Sequence, residues 1–321
     1  GLVGRSERGS ISSSQASGTV QGDDFVGGLV GLSNGSSITD SRASGNVTAS
    51  GDYAGGFVGY NEGYAAAARI SNSHYQGTVR GVSHVGGLVR HSQNFAHDAS
   101  ISQSSARGEV VASGDYVGGL VGYQSDNESS TTSSISSSFA IASVSGADGV
   151  GGLVGYQRGE LSSIANSYAQ GVVRGQSQVG GLVGSNSGEI QQSYASVMVV
   201  GSGSDVGGLV GSDNGWVNAS FWNIDAAGTA DSAAGSGLTA AQSKLGSSYG
   251  WDFSVESPWR QLDGSSMPYL AWQFAGTPQL VAGSASGAAG QRVGVAVGGV
   301  EQGFAYAGAD GRYSMLLNPA S

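Results

Sequence analysis

The sequence predicts an all-β protein that folds as a β-solenoid of about eight coils, followed by a C-terminal cap and a partial β-sandwich-like segment. A glycine-bracketed apolar segment recurs eight times, and five of its seven complete copies read VGGLVG. The complete copies begin 28, 31, 32, 33, 29 and 27 residues apart, and a period of this size is typical of stacked repeats. The copies occupy residues 1–4, 26–31, 54–59, 85–90, 117–122, 150–155, 179–184 and 206–211.

Apolar or small residues in this segment occupy both sets of alternating positions. This pattern predicts a strand or strand-turn that is buried on both sides. We expect its final glycine, such as Gly31, to turn the chain, and Arg90 departs from this pattern. One large apolar residue stands near the middle of each complete copy and is predicted to form the core of the repeat. These residues are Leu29, Phe57, Leu88, Leu120, Leu153, Leu182 and Leu209.

A second motif follows each apolar segment and consists of Ile or Val, two further residues, a Ser, and then small residues at every second position. In the second copy it is formed by Ile38, Ser41, Ala43, Gly45 and Val47. The period of two predicts a strand whose small residues face inward, so the opposite walls of the coil lie close together.

The spacing of the two motifs predicts where the coil tolerates insertions. Nine residues always separate the Ile from the closing Val, whereas 11 to 18 residues separate the start of the apolar segment from the next Ile. One edge of the solenoid therefore carries loops of variable length, and such loops are often where binding occurs.

Both halves of this repeat, in order, resemble the GLUG repeat, which is named for its Gly-Leu-apolar-Gly core. The resemblance covers residues 1 to about 225. GLUG repeats are similar to those of large secreted bacterial surface proteins, including filamentous-haemagglutinin-like adhesins and immunoglobulin-cleaving metallopeptidases. The resemblance implies an extracellular β-solenoid over residues 1–225.

Composition changes near Trp216, because all five Trp and all four Pro residues lie at or after this position. Residues 226–276 are predicted to form a C-terminal cap that covers the last coil, with a short helix over 236–246 and a Trp-rich segment. Residues 277–321 are predicted to be β-sandwich-like, with a hairpin at Asp310–Gly311, and this unit is either truncated or completed by another chain.

The charge excludes several classes of function. The net charge is −10 and Lys244 is the single Lys, so we expect no nucleic-acid partner and no membrane insertion. The chain has no Cys, and its four His residues show no ligand spacing, so we expect no metal site and no cofactor. Carboxylates are scattered over loops, and we therefore expect no enzyme activity.

Asp residues recur in the bend before the apolar segment. We expect them to bond their own backbone in turns, with a calcium ladder as the alternative. They are Asp23, Asp24, Asp52, Asp115, Asp148 and Asp205.

The position after the motif Ser changes from polar to aromatic in the last four coils, where it holds Phe139, Tyr168, Tyr194 and Phe221. Coils about 4.8 Å apart would place these rings in a stacked, outward-facing stripe. Because an exposed apolar stripe of this size is uncommon, we expect it to face a partner. The partner is either the 230–275 segment, folded back, or another chain.

The leading hypothesis is a non-enzymatic structural or adhesive protein, located outside the cell or on its outer surface, that presents a rigid rod. Its expected partners are other protein chains, including copies of itself, or host or surface glycans. The alternatives are a subunit of a self-assembling extracellular fibre and a carbohydrate-binding or carbohydrate-active solenoid.

Overall fold

The computed structural model describes residues 1–126 and 130–319, and the predicted β-solenoid is confirmed. Four parallel sheets form its walls, and each complete turn contributes one strand to each sheet in chain order. We number these sheets 1 to 4. A partial first coil without a sheet 1 strand precedes seven complete turns, which are coils 2 to 8.

The strands of each sheet follow one another along the rod. Sheet 1 contains Val26–Gly27, Ala54–Gly55, Val85–Gly86, Val117–Gly118, Asp148–Gly151, Ser177–Gly180 and Val206–Gly207. Sheet 2 contains Val3–Glu7, Val30–Asn34, Val58–Gly63, Val89–Asn94, Val121–Ser125, Val154–Arg158, Val183–Asn186 and Val210–Asp213. Sheet 3 contains Ser10–Ser12, Ser37–Thr39, Ala68–Ser71, Ala99–Ser102, Ser133–Ser136, Ser162–Ala165, Glu189–Gln191 and Trp216–Asn218. Sheet 4 contains Gln15–Ser17, Val20–Gly22, Arg42–Ala49, His74–Gly81, Ser105–Ala112, Phe139–Ser145, Tyr168–Gly175, Tyr194–Gly201, Phe221–Asn223 and Ser236–Leu238.

The interior consists of in-register columns of apolar side chains. The seven residues that the sequence marks as the repeat core are all fully buried: Leu29, Phe57, Leu88, Leu120, Leu153, Leu182 and Leu209. The motif Ile residues form a second column, in which Ile38 pairs with Ile70 and Ile70 with Ile101. Alternating small residues such as Ala106 and Ala140 face the same interior, so sheet 4 lies close to the core.

The last glycine of the apolar segment does not turn the chain, contrary to expectation. The bend lies at Gly28 and Leu29, whereas Gly31 is inside a sheet 2 strand. A Cβ at Gly31 would lie 2.6 Å from the carbonyl oxygen of Gly4 and 2.9 Å from that of Phe25, which favours glycine there. Arg90 occupies the equivalent strand position.

The motif Ser forms the corner between sheets 3 and 4. The residue before it has a left-handed backbone, as at Asn72 (φ 46°) and Gln103 (φ 47°). The hydroxyl of Ser104 donates to the carbonyl of Ser102 (2.7 Å) and accepts from the backbone N–H of Ser73 (3.2 Å). The same pair of bonds recurs from coil to coil along the solenoid, which makes a hydroxyl ladder at this corner.

The chain leaves the solenoid through a four-residue helix, α1 (Ile224–Ala227), which Asn223 caps at its start and Gly228 at its end. Of the predicted helix over 236–246, only the 3₁₀ helix Gln242–Lys244 forms. Ser236–Leu238 instead forms a strand that pairs in parallel with Phe221–Asn223 and extends sheet 4. Short 3₁₀ helices follow at Gln242–Lys244, Gly246–Ser248 and Ala271–Gln273.

Residues 239–319 run back along the outer face of sheet 4, and we call them the flap. Its strands form antiparallel pairs: Trp259–Arg260 with Tyr269–Leu270, Gln279–Ser284 with Arg312–Leu317, and Arg292–Val297 with Val300–Tyr306. The hairpin turn is at Gly298–Gly299, where both φ angles are positive. The predicted hairpin at Asp310–Gly311 is wrong, because this turn carries the chain from one strand pair to the other.

Insertions lie between sheets 2 and 3, as the spacing predicts, and residues 127–129 of the longest insertion lie outside the described residues.

We predict that Ser104→Ala lowers the free energy of unfolding by about 1–3 kcal/mol, because it leaves the N–H of Ser73 without its partner in a buried corner. Ser100→Ala is the matched control, because Ser100 lies on the outer face of the same coil and is only half-buried. It should change the free energy by less than about 0.5 kcal/mol. Urea unfolding followed by circular dichroism measures both, and equal effects would contradict a role for the ladder.

Candidate functional site

The outer face of sheet 4 carries a column of stacked aromatic rings. Phe139, Tyr168 and Tyr194 pair in register along the ladder. Their ring centroids are 5.0 Å apart at both steps, and the rings are parallel to within 6° and 2°. The parallel register therefore holds the rings at the distance and orientation of a stacked column.

Trp272 of the flap extends this column to coil 3. Its ring stacks on His74 with centroids 5.5 Å apart and on Phe139 at 5.7 Å. The small Ser105 lies between these two residues in the ladder and leaves room for the inserted ring. The Nε1 of Trp272 donates to the carbonyl of Ser137 (2.8 Å). No periodic pattern could reveal this contact, since Trp272 comes from outside the repeats.

Phe221 departs from the predicted stripe. It is half-buried and packs edge-on against Tyr249 and Trp251 of the flap, with centroids 5.3 Å and 5.8 Å away. The predicted stripe thus consists of a stack of three rings and a fourth ring, Phe221, that joins the same cluster through flap residues such as Trp251.

The partner that covers the aromatic column is the protein's own flap. Tyr194 is 1% exposed, its ring contacts Trp259, and its hydroxyl donates to the carbonyl of Pro268 (2.7 Å). The Nε2 of Gln273 donates to the hydroxyl of Tyr168 (2.8 Å), and burial raises the pKa of Tyr168 to about 12. Of the two coverings that the sequence leaves open, the structure shows the intrachain one, so these rings do not face another chain.

At the end of the aromatic column, the flap and the solenoid line an open cleft of about 480 Å³. Its floor is the outer face of sheet 4, formed by Gln15, Arg42, Ser44, His74, Gln76, Ser105, Arg107, Phe139, Ile141 and Gln170. Its walls come mainly from the flap and include Met267, Pro268, Tyr269, Trp272, Gln273, Phe274, Leu280, Phe304, Met315 and Leu316. A polar floor thus lies beneath aromatic and aliphatic walls, at a volume common for ligand sites.

The floor of the cleft is positively charged. Arg42 is exposed, and the guanidinium carbon of the half-buried Arg107 lies 5.0 Å from the centre of the Phe139 ring. Neither Arg appears in the ion pairs found within 1–126 and 130–319. Glu301 is the only carboxylate among the described lining residues, and Arg292 holds both of its oxygens at 2.6 and 2.8 Å.

His74 is half-buried beneath Trp272. Burial and the charges of Arg42 and Arg107 lower the pKa of His74 to about 4. Its Nδ1 lies 3.0 Å from the Oγ of Ser105. The imidazole is therefore neutral at pH 7 and adds no positive charge to the floor.

A second aromatic group lies where sheet 1 meets sheet 2. Arg90, in place of the usual glycine, sets its guanidinium 3.4 Å above the ring of Tyr53 and 5.4 Å from that of Tyr60. His84 and His91 join the same group by ring contacts, and His97 is exposed. The described residues contain no group of three or more His, Cys, Asp or Glu that could hold a metal ion.

The bend residues Asp115 and Asp148 bond to the next coil and not to their own turn as expected, whereas Asp205 accepts from the hydroxyl of Ser204 in its own bend (3.1 Å). Asp115 accepts from the backbone N–H of Asp148 (3.1 Å), and Asp148 accepts from that of Ser177 (3.0 Å). These carboxylates therefore help to hold adjacent coils together.

The predicted loops of variable length do not form the cleft. The cleft lies over sheet 4, on the side of the coil where the spacing from the motif Ile to the closing Val is constant. In the part of the chain that the structure describes, no helix is both long and apolar enough to cross a bilayer.

Comparison with known protein families finds the GLUG motif at residues 26–48, 50–80 and 146–174. The chain thus carries GLUG repeats, and the matched segments fall on coils 2, 3 and 6. The buried core residue and the corner Ser recur in the unmatched coils between them. No curated protein and no solved structure matches the chain.

We predict that Trp259→Ala releases the flap while the solenoid stays folded, because Trp259 is 1% exposed and truncating a buried Trp costs about 3–5 kcal/mol. Trp216→Ala is the matched control, since Trp216 is 71% exposed on sheet 3. Hydrogen exchange should show protection lost over the flap, residues 239–319, in the first variant alone. Loss of protection throughout coils 2 to 8 would contradict a separable flap.

We predict that stability falls as the pH falls from 6.5 to 4. The pKa of His74 is about 4 in the folded protein and about 6.5 in the unfolded chain, so only the unfolded chain gains a proton in this window. His84 and His91 shift in the same direction, mainly through burial. Urea midpoints at pH 7 and pH 4.5 should differ less for His74→Gln than for the native protein. His97→Gln, at an exposed position, should leave the difference unchanged; equal differences in all three proteins would contradict the prediction.

Proposed function

We propose that this protein is a non-enzymatic, extracellular adhesive protein of the bacterial surface, a rigid rod that binds a saccharide in the cleft between sheet 4 and the flap. The cleft is the observation that carries this proposal. The GLUG repeats and the continuous parallel sheets support a rod-like extracellular repeat protein.

The stiffness of the rod follows from its bonding. Strands in all four sheets bond to the neighbouring coils, and the corner serines add further bonds between coils. A coil cannot tilt or slide without breaking several of these bonds together. Such a rod holds a binding site on its lateral face at a fixed position. This property suits a protein that presents a ligand site at a distance from the cell surface.

A saccharide suits the chemistry of the cleft better than an extended peptide. Strands in the centre of the floor already bond to the coils on both sides, since His74 pairs with Arg42 of the preceding coil and with Ser105 of the next. This part of the floor therefore offers side-chain amides, hydroxyls and guanidinium groups, and no free strand edge to which a peptide could add. The apolar walls would contact the C–H faces of sugar rings while the floor bonds their hydroxyl groups.

The absence of enzyme activity belongs to the same proposal. Hydrolysis of a glycosidic bond by the usual route needs two carboxyl groups that flank the bond. The described lining of the cleft includes a single carboxylate, that of Glu301, and Arg292 pairs with it.

The covered C-terminal end of the solenoid favours an adhesive rod over a self-assembling fibre. The backbone N–H of Gly208 donates to Asp231 (2.8 Å), that of Ala233 donates to Val210 (3.0 Å), and Ser236 bonds to Ser220 (3.0 Å). Because this segment bonds to coil 8, another solenoid cannot stack there end to end. Electron microscopy of the purified protein should show single short rods, and long polymers would favour the fibre.

We predict that Ser44→Trp abolishes saccharide binding, because it places a large side chain on the exposed part of the cleft floor without disturbing the core. Ser12→Trp is the matched control, since Ser12 is also exposed but lies on sheet 3. A glycan array screened with all three proteins measures the effect. Binding that survives Ser44→Trp, or no binding to any saccharide by the native protein, would overturn the proposed site.

A further inference from the structure

The geometry points to a more specific ligand: we infer that the cleft binds an acidic saccharide with repeated carboxylate groups, which Arg42 and Arg107 hold. This inference deepens the proposed function and rests on it.

The local charge of the cleft is opposite to that of the whole chain. The protein has 23 Asp and Glu residues against 13 Lys and Arg residues. Yet the described lining contains two Arg side chains without an ion-pair partner and one carboxylate that is already paired with Arg292. The field in the cleft therefore favours an anion, while the rest of the surface repels it.

Arg107 makes the strongest case for an anionic ligand. Burial lowers the pKa of its guanidinium, and the charge lies against the Phe139 ring with no carboxylate among the described residues within ion-pairing distance. A charge that is partly removed from water without a partner is unfavourable, and an incoming carboxylate would relieve this cost. Guanidinium and carboxylate form two parallel hydrogen bonds, a pairing that a neutral sugar cannot supply.

The positions of the two Arg residues indicate an oligomer and not a single acid. Arg42 of coil 2 pairs with His74 of coil 3. Gln76, on the same strand as His74, pairs in turn with Arg107 of coil 4. The two backbones are therefore two coils apart, or about 10 Å along the rod. Carboxylates on separate sugar units of one chain would reach both guanidinium groups, with the hydroxyls between them over His74 and Gln76.

The test measures binding of the full chain to a polygalacturonate oligomer and to its methyl ester, which has the same backbone without the charge. We expect the acid to bind at least tenfold more tightly than the ester. Arg42→Gln and Arg107→Gln should each weaken binding of the acid about tenfold or more and weaken binding of the ester by a smaller factor, since only the acid loses a charged hydrogen-bond pair. Arg69→Gln, which removes the same charge from an exposed site on sheet 3, should bind like the native protein.

Two further probes separate the sources of negative charge. Dextran sulfate tests charge without carboxylate, and poly-glutamate tests carboxylate without sugar. The inference would be overturned if either polymer bound as tightly as polygalacturonate, or if the acid and the ester bound with equal affinity. It would also be overturned if Arg69→Gln weakened binding of the acid as much as Arg42→Gln and Arg107→Gln do.

The outcomes also distinguish this inference from the proposed function. If neutral saccharides bind and Ser44→Trp blocks them, the cleft is a saccharide site and only the acidic preference fails. If no saccharide of either kind binds, the proposed function fails with it. Circular dichroism of each variant shows whether the solenoid is intact before binding is measured.

Discussion

Hydrogen bonding between coils is the constraint on which the rest of this structure depends. A thin parallel solenoid satisfies its backbone only if each coil lies in register with the next. The corner between sheets 3 and 4 is a weak point of this register, because a residue with a left-handed backbone interrupts the backbone hydrogen-bond ladder there. The hydroxyls of residues such as Ser73 and Ser104 bridge this corner, because each bonds to its own coil and to the preceding one.

A fixed register turns single residue choices into columns. The residue after the corner Ser pairs in register with its equivalent in the next coil and points to the same face of sheet 4. The rings of Phe139, Tyr168 and Tyr194 therefore stack. The flap docks on this stack with Trp259 and inserts Trp272 at its end. The strength of this docking therefore comes from the repeat, although the flap itself has no repeat.

The solenoid, its core residues and its aromatic column could be predicted from the sequence, because the period of the repeat identifies which residues stack on one another in adjacent coils. It was not sufficient for the flap. Leu238 lies in a pattern that resembles a helix, but the open edge of sheet 4 is a stronger partner and makes it a strand. The cleft could not be predicted either, since Trp272 and Phe274 meet Arg42 and Arg107 only through contacts between distant parts of the chain.

One change along one column decides where the cleft lies. The flap runs along the outer face of sheet 4, but it meets Phe and Tyr rings of this column only from coil 5 onward. In coils 1 to 4 the same column holds Gln15, Arg42, His74 and Ser105, which cannot supply a dry contact of the same kind. There the flap spans the face without sealing it, so the polar half of the column becomes the floor of the cleft. A protein that replaced Arg42 and Ser105 with aromatic residues would extend the stack and lose the cleft.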